Sequence, residues 1–123
     1  MKYHAKITGW GKGALSLLED PETNFIVIFK EGVPPELAEI SVLHEEAPLL
    51  GEPAAGDMVA VADKVFTITA VGDEASRSLR EMGHCTLAFN GAKKPDRPGC
   101  IMLEGDEKLS ASDIKVGAAI EIY

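Results

Sequence analysis

The chemically capable side chains of this sequence are few: three histidines, His4, His44 and His84, and two cysteines, Cys85 and Cys100. None of them belongs to a familiar catalytic signature. There is no G-x-x-x-x-G-K phosphate cradle, no G-x-S-x-G, no H-E-x-x-H and no dinucleotide-binding glycine fingerprint, so nothing calls for a cofactor. The cysteines lack C-x-x-C spacing, and Cys85, alternating with Leu87 and Phe89, reads as a buried packing residue. A metal site would have to draw on His44, Glu46, His84 and Cys85, whose close spacings are generic, and none is expected. His4 reads as a surface residue.

Histidine can itself be a nucleophile: a neutral imidazole nitrogen attacks phosphorus, and the phosphoramidate formed passes its phosphoryl group on readily. Such a carrier needs an accessible imidazole, a group fixing the tautomer at the other nitrogen, donors for the phosphoryl oxygens and an apolar docking surface. His44, closing a strand beside apolar Ala47, Pro48, Leu49 and Leu50, could satisfy these requirements. Spacing alone equally fits a half-buried strand residue that does no chemistry.

The elements that position these residues are mostly strands. Period-two patterns run through Tyr3, Ala5 and Ile7, through Phe25 to Phe29, and through Ile40, Val42 and His44, with Ser41, Leu43 and Glu45 on the opposite face. Met58 to Ala62 and Val65 to Val71 form a hairpin around Asp63-Lys64, and further strands follow at His84 to Phe89, Cys100 to Glu104 and Ala119 to Tyr123. Gly56 leads into Val59 and Val61 as Gly117 leads into Ile120 and Ile122, a faint internal echo. One helix is convincing, with Asp73 as N-cap, Ala75, Leu79 and Met82 on one face and Gly83 as a left-handed stop; Pro35 to Glu39 adds at most a turn. The expected fold is all-β: a closed or nearly closed small barrel of about seven strands with one short covering helix, a β-sandwich being the alternative.

Residues 1–123 fit one domain with a continuous core. Twenty acidic residues against twelve basic ones leave a net charge of −8, which disfavours nucleic acid and anionic membrane surfaces and suits a protein partner presenting basic groups. No apolar run approaches the roughly 20 residues of a membrane span, and the N-terminal residues lack a signal-peptide core, so a cytoplasmic location is expected.

The run Phe29-Lys30-Glu31-Gly32-Val33-Pro34-Pro35-Glu36-Leu37-Ala38-Glu39-Ile40-Ser41-Val42-Leu43-His44 resembles the segment of glucitol/sorbitol-specific IIA proteins that leads to their phosphorylated histidine. A second block, Ile68 to Gly72, Leu79 to His84 and Thr86 to Gly91, resembles that family's T-A-V-G, L-R-E-L-G-H and T-L-x-F-D-G pattern, and Pro98-Gly99 matches a Pro-Gly before the next strand. The resemblance implies a phosphotransferase-system β-barrel that accepts phosphoryl from the phosphocarrier HPr and passes it to the IIB component. It places the phosphoryl acceptor at His44, on Nε2, and makes His84 the second catalytic candidate, either contacting the phosphoryl group or supporting the fold. Glu45-Glu46 depart from the less acidic residues expected there, and a Glu46 carboxylate on the face of His44 would repel a phosphoryl group. The competing reading is a regulatory or ligand-binding barrel that does not relay phosphate.

Overall fold

The computed structural model describes residues 1–123 and resolves the alternating pattern into eight strands, slightly more than the seven or so expected. They are β1 (Tyr3–Trp10), β2 (Phe25–Lys30), β3 (Ser41–His44), β4 (Met58–Val61), β5 (Lys64–Val71), β6 (Cys85–Ala88), β7 (Cys100–Glu104) and β8 (Ala119–Ile122). They close into a barrel in the order β1-β3-β2-β6-β7-β5-β4-β8, with β8 returning to β1. Closure pairs every strand on both sides, which is how a small all-β chain avoids an exposed edge, and it sets aside the sandwich alternative.

Alternate residues fill the interior: Tyr3, Ala5 and Ile7 from β1, Ile26 and Ile28 from β2, Val59 and Val61 from β4, Ile120 and Ile122 from β8. Each such aliphatic side chain contributes about 1.5–3 kcal/mol by leaving water. The echo between residues 56–61 and 117–122 has a structural counterpart, because β4 and β8 are antiparallel neighbours with Val59 opposite Ile122 and Val61 opposite Ile120.

Two neighbouring pairs are parallel, β2 with β3 and β6 with β7, while β2 and β6 run antiparallel to each other. Parallel pairing demands a crossover. The crossover from β2 to β3 carries the single turn α2 (Pro35–Ala38), with Pro35 in the first turn where its missing N–H costs nothing.

The anticipated covering helix is present and is joined by another. Besides the anticipated α3 (Ala75–Met82), a second eight-residue helix, α1 (Lys12–Glu19), lies over β2 and buries Ala14 and Leu18. No side chain caps its start; instead the Gly11 and Gly13 amides donate to the Ser41 and Glu39 carbonyls. Long-range backbone bonds thus do what a sequence-local cap would otherwise do. A 3-10 turn (Ala111–Asp113) precedes β8, closed by reciprocal hydrogen bonds between Ser110 and Asp113.

Smaller expectations also shift. The N-cap of α3 is Glu74, not Asp73, and Met82 is exposed while Ala75 and Leu79 are buried. β3 starts at Ser41, with Ile40 outside it and exposed; Ser41 is buried because its hydroxyl donates to the Leu37 carbonyl at 2.6 Å. The β4–β5 turn falls on Ala62-Asp63, one residue earlier than expected, with Ala62 at φ 57.

Candidate functional site

His44 ends β3 on the face that points into the barrel, and its side chain is fully buried. A phosphoryl carrier needs an accessible imidazole, and the cause of this burial lies 39 residues away. There α3 stops at Gly83, whose left-handed conformation (φ 61, ψ 28) lets the Gly83 and His84 amides return to the Leu79 and Ser78 carbonyls. The turn aims the Gly83 carbonyl at the imidazole, and His44 Nε2 lies 2.7 Å from that oxygen.

Only glycine permits the approach. A Cβ at residue 83 would come within 2.8 Å of His44 Cε1 and 2.9 Å of Lys30 Cβ. On the other side of the ring, Nδ1 lies 2.7 Å from the carbonyl of Glu45. Both neighbours are carbonyl oxygens, which only accept, so both contacts are hydrogen bonds only when both ring nitrogens carry hydrogen. A neutral imidazole keeps one bond and leaves a lone pair facing the other oxygen.

Tyr3 meets the imidazole edge-on, with ring centroids 6.0 Å apart. Its hydroxyl is buried without a hydrogen-bond partner. Burial first, and the nearby Cys85 second, push the phenol above its ordinary range, so Tyr3 stays neutral. Cys85 is fully buried and its thiol is pushed up to about 12, by burial and then by Cys100; it packs, as its alternation suggested.

The two acidic residues after His44 are both engaged. Glu45 Oε1 accepts the Lys6 backbone N–H at 3.1 Å. Glu46 pairs with the Lys30 ammonium at 3.3 Å, so its charge is met by a cation rather than aimed unopposed at the imidazole. Lys30 is the parallel register partner of His44, and the Glu31 amide donates to the His44 carbonyl at 2.8 Å.

His84 follows Gly83, yet its imidazole does not join that of His44. It stacks on Phe29 with centroids 4.4 Å apart and a 28° interplanar angle, and Nδ1 lies 3.3 Å from the Ile28 carbonyl. Phe29 alternates with the inward-facing Ile28, so the His84 ring lies on the outer side of β2. His4 is exposed, as expected, and pairs with Glu121 at 3.1 Å. No three His, Cys, Asp or Glu side chains converge on one point.

The residues that sequence reasoning missed are Gly83, as the cover of the imidazole, and Lys30. Gly83 was legible as a helix stop but not as a contact of His44. Lys30 carries a signal in hindsight: it continues the Ile26, Ile28 alternation to the end of β2 beside the histidine.

A family model described as PTS system glucitol/sorbitol-specific IIA component matches residues 2–121. Proteins named PTS system glucitol/sorbitol-specific EIIA component from Escherichia coli (strain K12) and Shigella flexneri are each 33% identical over 103 residues, spanning 84% of this chain and 81% of theirs. The crystal structure of a PTS system IIA component from Enterococcus faecalis V583 is similar with a TM-score of 0.75 at 26% identity, covering 96% of this chain and 97% of that one. No helix of this chain is long and apolar enough to cross a membrane. With a closed barrel and a histidine ending β3 already in place, these matches identify the chain as a member of the glucitol/sorbitol-specific IIA component family of the PTS.

Proposed function

We propose that this protein is the phosphoryl carrier of a glucitol/sorbitol-type phosphotransferase system, acting in the cytoplasm as one domain. It accepts phosphoryl from HPr on His44 and passes it to the IIB component during sugar uptake. The observation that carries the reading is the Glu45 carbonyl 2.7 Å from Nδ1: once the Gly83 carbonyl, equally close to Nε2, is withdrawn, Glu45 favours the Nδ1–H tautomer, and Nε2 is then the nitrogen with the free lone pair in the neutral ring. The Nε2 lone pair attacks phosphorus, the nitrogen–phosphorus bond of the donor phosphohistidine breaks, and its electron pair returns to the donor nitrogen. No proton has to move when the donor phosphohistidine carries hydrogen on its second ring nitrogen: the donor leaves as a neutral imidazole, and the phosphorylated His44 ring takes up the imidazolium charge with its proton still on Nδ1 and bonded to Glu45. The reverse exchange delivers the phosphoryl group onward.

The Gly83 carbonyl occupies the position that phosphorus must take. Transfer therefore requires the α3–β6 corner to swing aside, and the buried arrangement is the resting, closed form. Covering the nitrogen between transfers also keeps water from the site. His84 supports that corner through its stack on Phe29.

The test is incubation with phosphoenolpyruvate, enzyme I and HPr, followed by intact-mass analysis. A gain of one phosphoryl group is expected, lost in a folded His44→Ala protein. Full labelling of His44→Ala would remove the assignment. Label that reaches His44 but cannot be chased to a IIB component would favour a regulatory module instead.

A further inference from the structure

A phosphoryl group arriving at His44 brings negative charge into a barrel mouth that needs donors for it, and neither carbonyl beside the imidazole can serve, since both only accept. Resting on the reading of His44 as acceptor, we propose that Lys30 is the cation that engages the phosphoryl oxygens, and that Glu46 holds its ammonium until the phosphoryl group arrives.

Placement supports this from three directions. Lys30 and His44 are paired residues of the parallel strands β2 and β3, and paired residues in a sheet project to the same face. That face is the inner one, since Ile28 and Val42, two residues earlier in each strand, are both core residues. Lys30 Cβ and His44 Cε1 lie 2.9 Å and 2.8 Å from one point, the position a Cβ on Gly83 would take, so the lysine side chain starts close to the Cε1 edge of the imidazole, on the side that Gly83 covers.

Competing cations are turned away. Lys6 precedes the inward Ile7 and is exposed on the outer face of β1, and Arg80 is exposed on α3. The Lys30 ammonium, by contrast, is half-exposed at the mouth and holds only one 3.3 Å contact, to a Glu46 carboxylate that is itself 82% exposed. Such a solvent-facing pair is weak and exchanges at little cost. A phosphoryl group at Nε2 offers the ammonium a more charged acceptor in a less solvated place, where electrostatic contacts count for more. The acidic residue beside the acceptor thereby acquires a role: it parks the cation without competing strongly for it.

Single-turnover transfer from phosphorylated HPr to Lys30→Met, Lys30→Arg and Glu46→Gln proteins tests the assignment. The apolar variant is expected to keep its melting temperature and its KM for HPr while the rate of phosphoryl arrival falls by about ten- to a hundred-fold. Lys30→Arg should recover most of that loss, and Glu46→Gln should raise the fraction of His44 phosphorylated at equilibrium. Parent-like rates in Lys30→Met, on protein shown to be labelled at His44, overturn the role of Lys30 and leave the carrier function standing. Equal losses in Lys30→Met and Lys30→Arg would assign Lys30 to packing and overturn it too. A parent protein that takes no label overturns both.

Discussion

Replacing Gly83 by alanine tests whether the closed site is built as described. Two penalties act together. A residue with a Cβ in the left-handed region costs roughly 1–2 kcal/mol, and the new methyl meets His44 Cε1 at 2.8 Å, Lys30 Cβ at 2.9 Å and the Lys30 backbone nitrogen at 3.2 Å. None of these can yield cheaply: the ring is pinned between two carbonyls, and the lysine atoms belong to a paired strand. Overpacking of this kind costs about 1–3 kcal/mol, for a total of about 2–5 kcal/mol. In a domain of this size that lowers Tm by something on the order of 10 °C. Gly83→Asn separates the penalties, because asparagine tolerates the left-handed region but carries the same Cβ. Thermal unfolding measures the cost, and mass mapping of His44 after diethyl pyrocarbonate treatment measures its exposure. Alanine should lower Tm more than asparagine, and both should speed modification of His44. A Gly83→Ala protein with Tm within about 2 °C of the parent and an equally protected His44 would refute the reasoning.

The remaining predictions concern pH and the second histidine. The Cys85 thiol rises from 9.0 to about 12 on burial, so its contribution is complete below pH 9 and is lost as pH rises toward 12. Urea unfolding should therefore lose about 1.4 kcal/mol of stability per pH unit across that window from this group, and Cys85→Ala should flatten the slope; identical slopes would contradict it. His84→Gln should melt lower, losing about 1 kcal/mol of stacking on Phe29, and should transfer phosphoryl no more slowly than the parent, since the corner it supports must open for transfer; slowed transfer at unchanged Tm would place His84 on the phosphoryl group.

Much of this could be read in advance because it is local. Alternation along Tyr3 to Ile7 or Phe25 to Phe29 reports a half-buried strand directly, and Gly83 after an apolar stripe reports a helix stop. What escaped was set by distant partners. The start of α1 is held by the Ser41 and Glu39 carbonyls, so the Lys12 stretch, with Gly13 inside it and no capping side chain, gave little helical signal of its own. His44 falls at a strand end, as its alternation indicates, but its burial depends on the carbonyl of Gly83 at the C-terminal end of α3, which no spacing around residue 44 announces. Likewise the acidity of Glu46 looked unfavourable until the register of β2 brought Lys30 beside it.

That register has a wider consequence. β2 is the strand that hydrogen-bonds on one side to β3, which carries His44, and on the other to β6, which begins just after Gly83. It is therefore the ruler that measures the nucleophile against its cover, two pieces of chain with no direct local connection. A one-residue slip in a strand exchanges its faces. Such a slip in β2 would carry Lys30 out of the barrel mouth and Phe29 into it, while displacing the seats of His44 and the α3–β6 corner at the same time. Substitutions in β2 that keep its length and alternation can be absorbed by repacking; an insertion or deletion there dismantles the site from both sides at once.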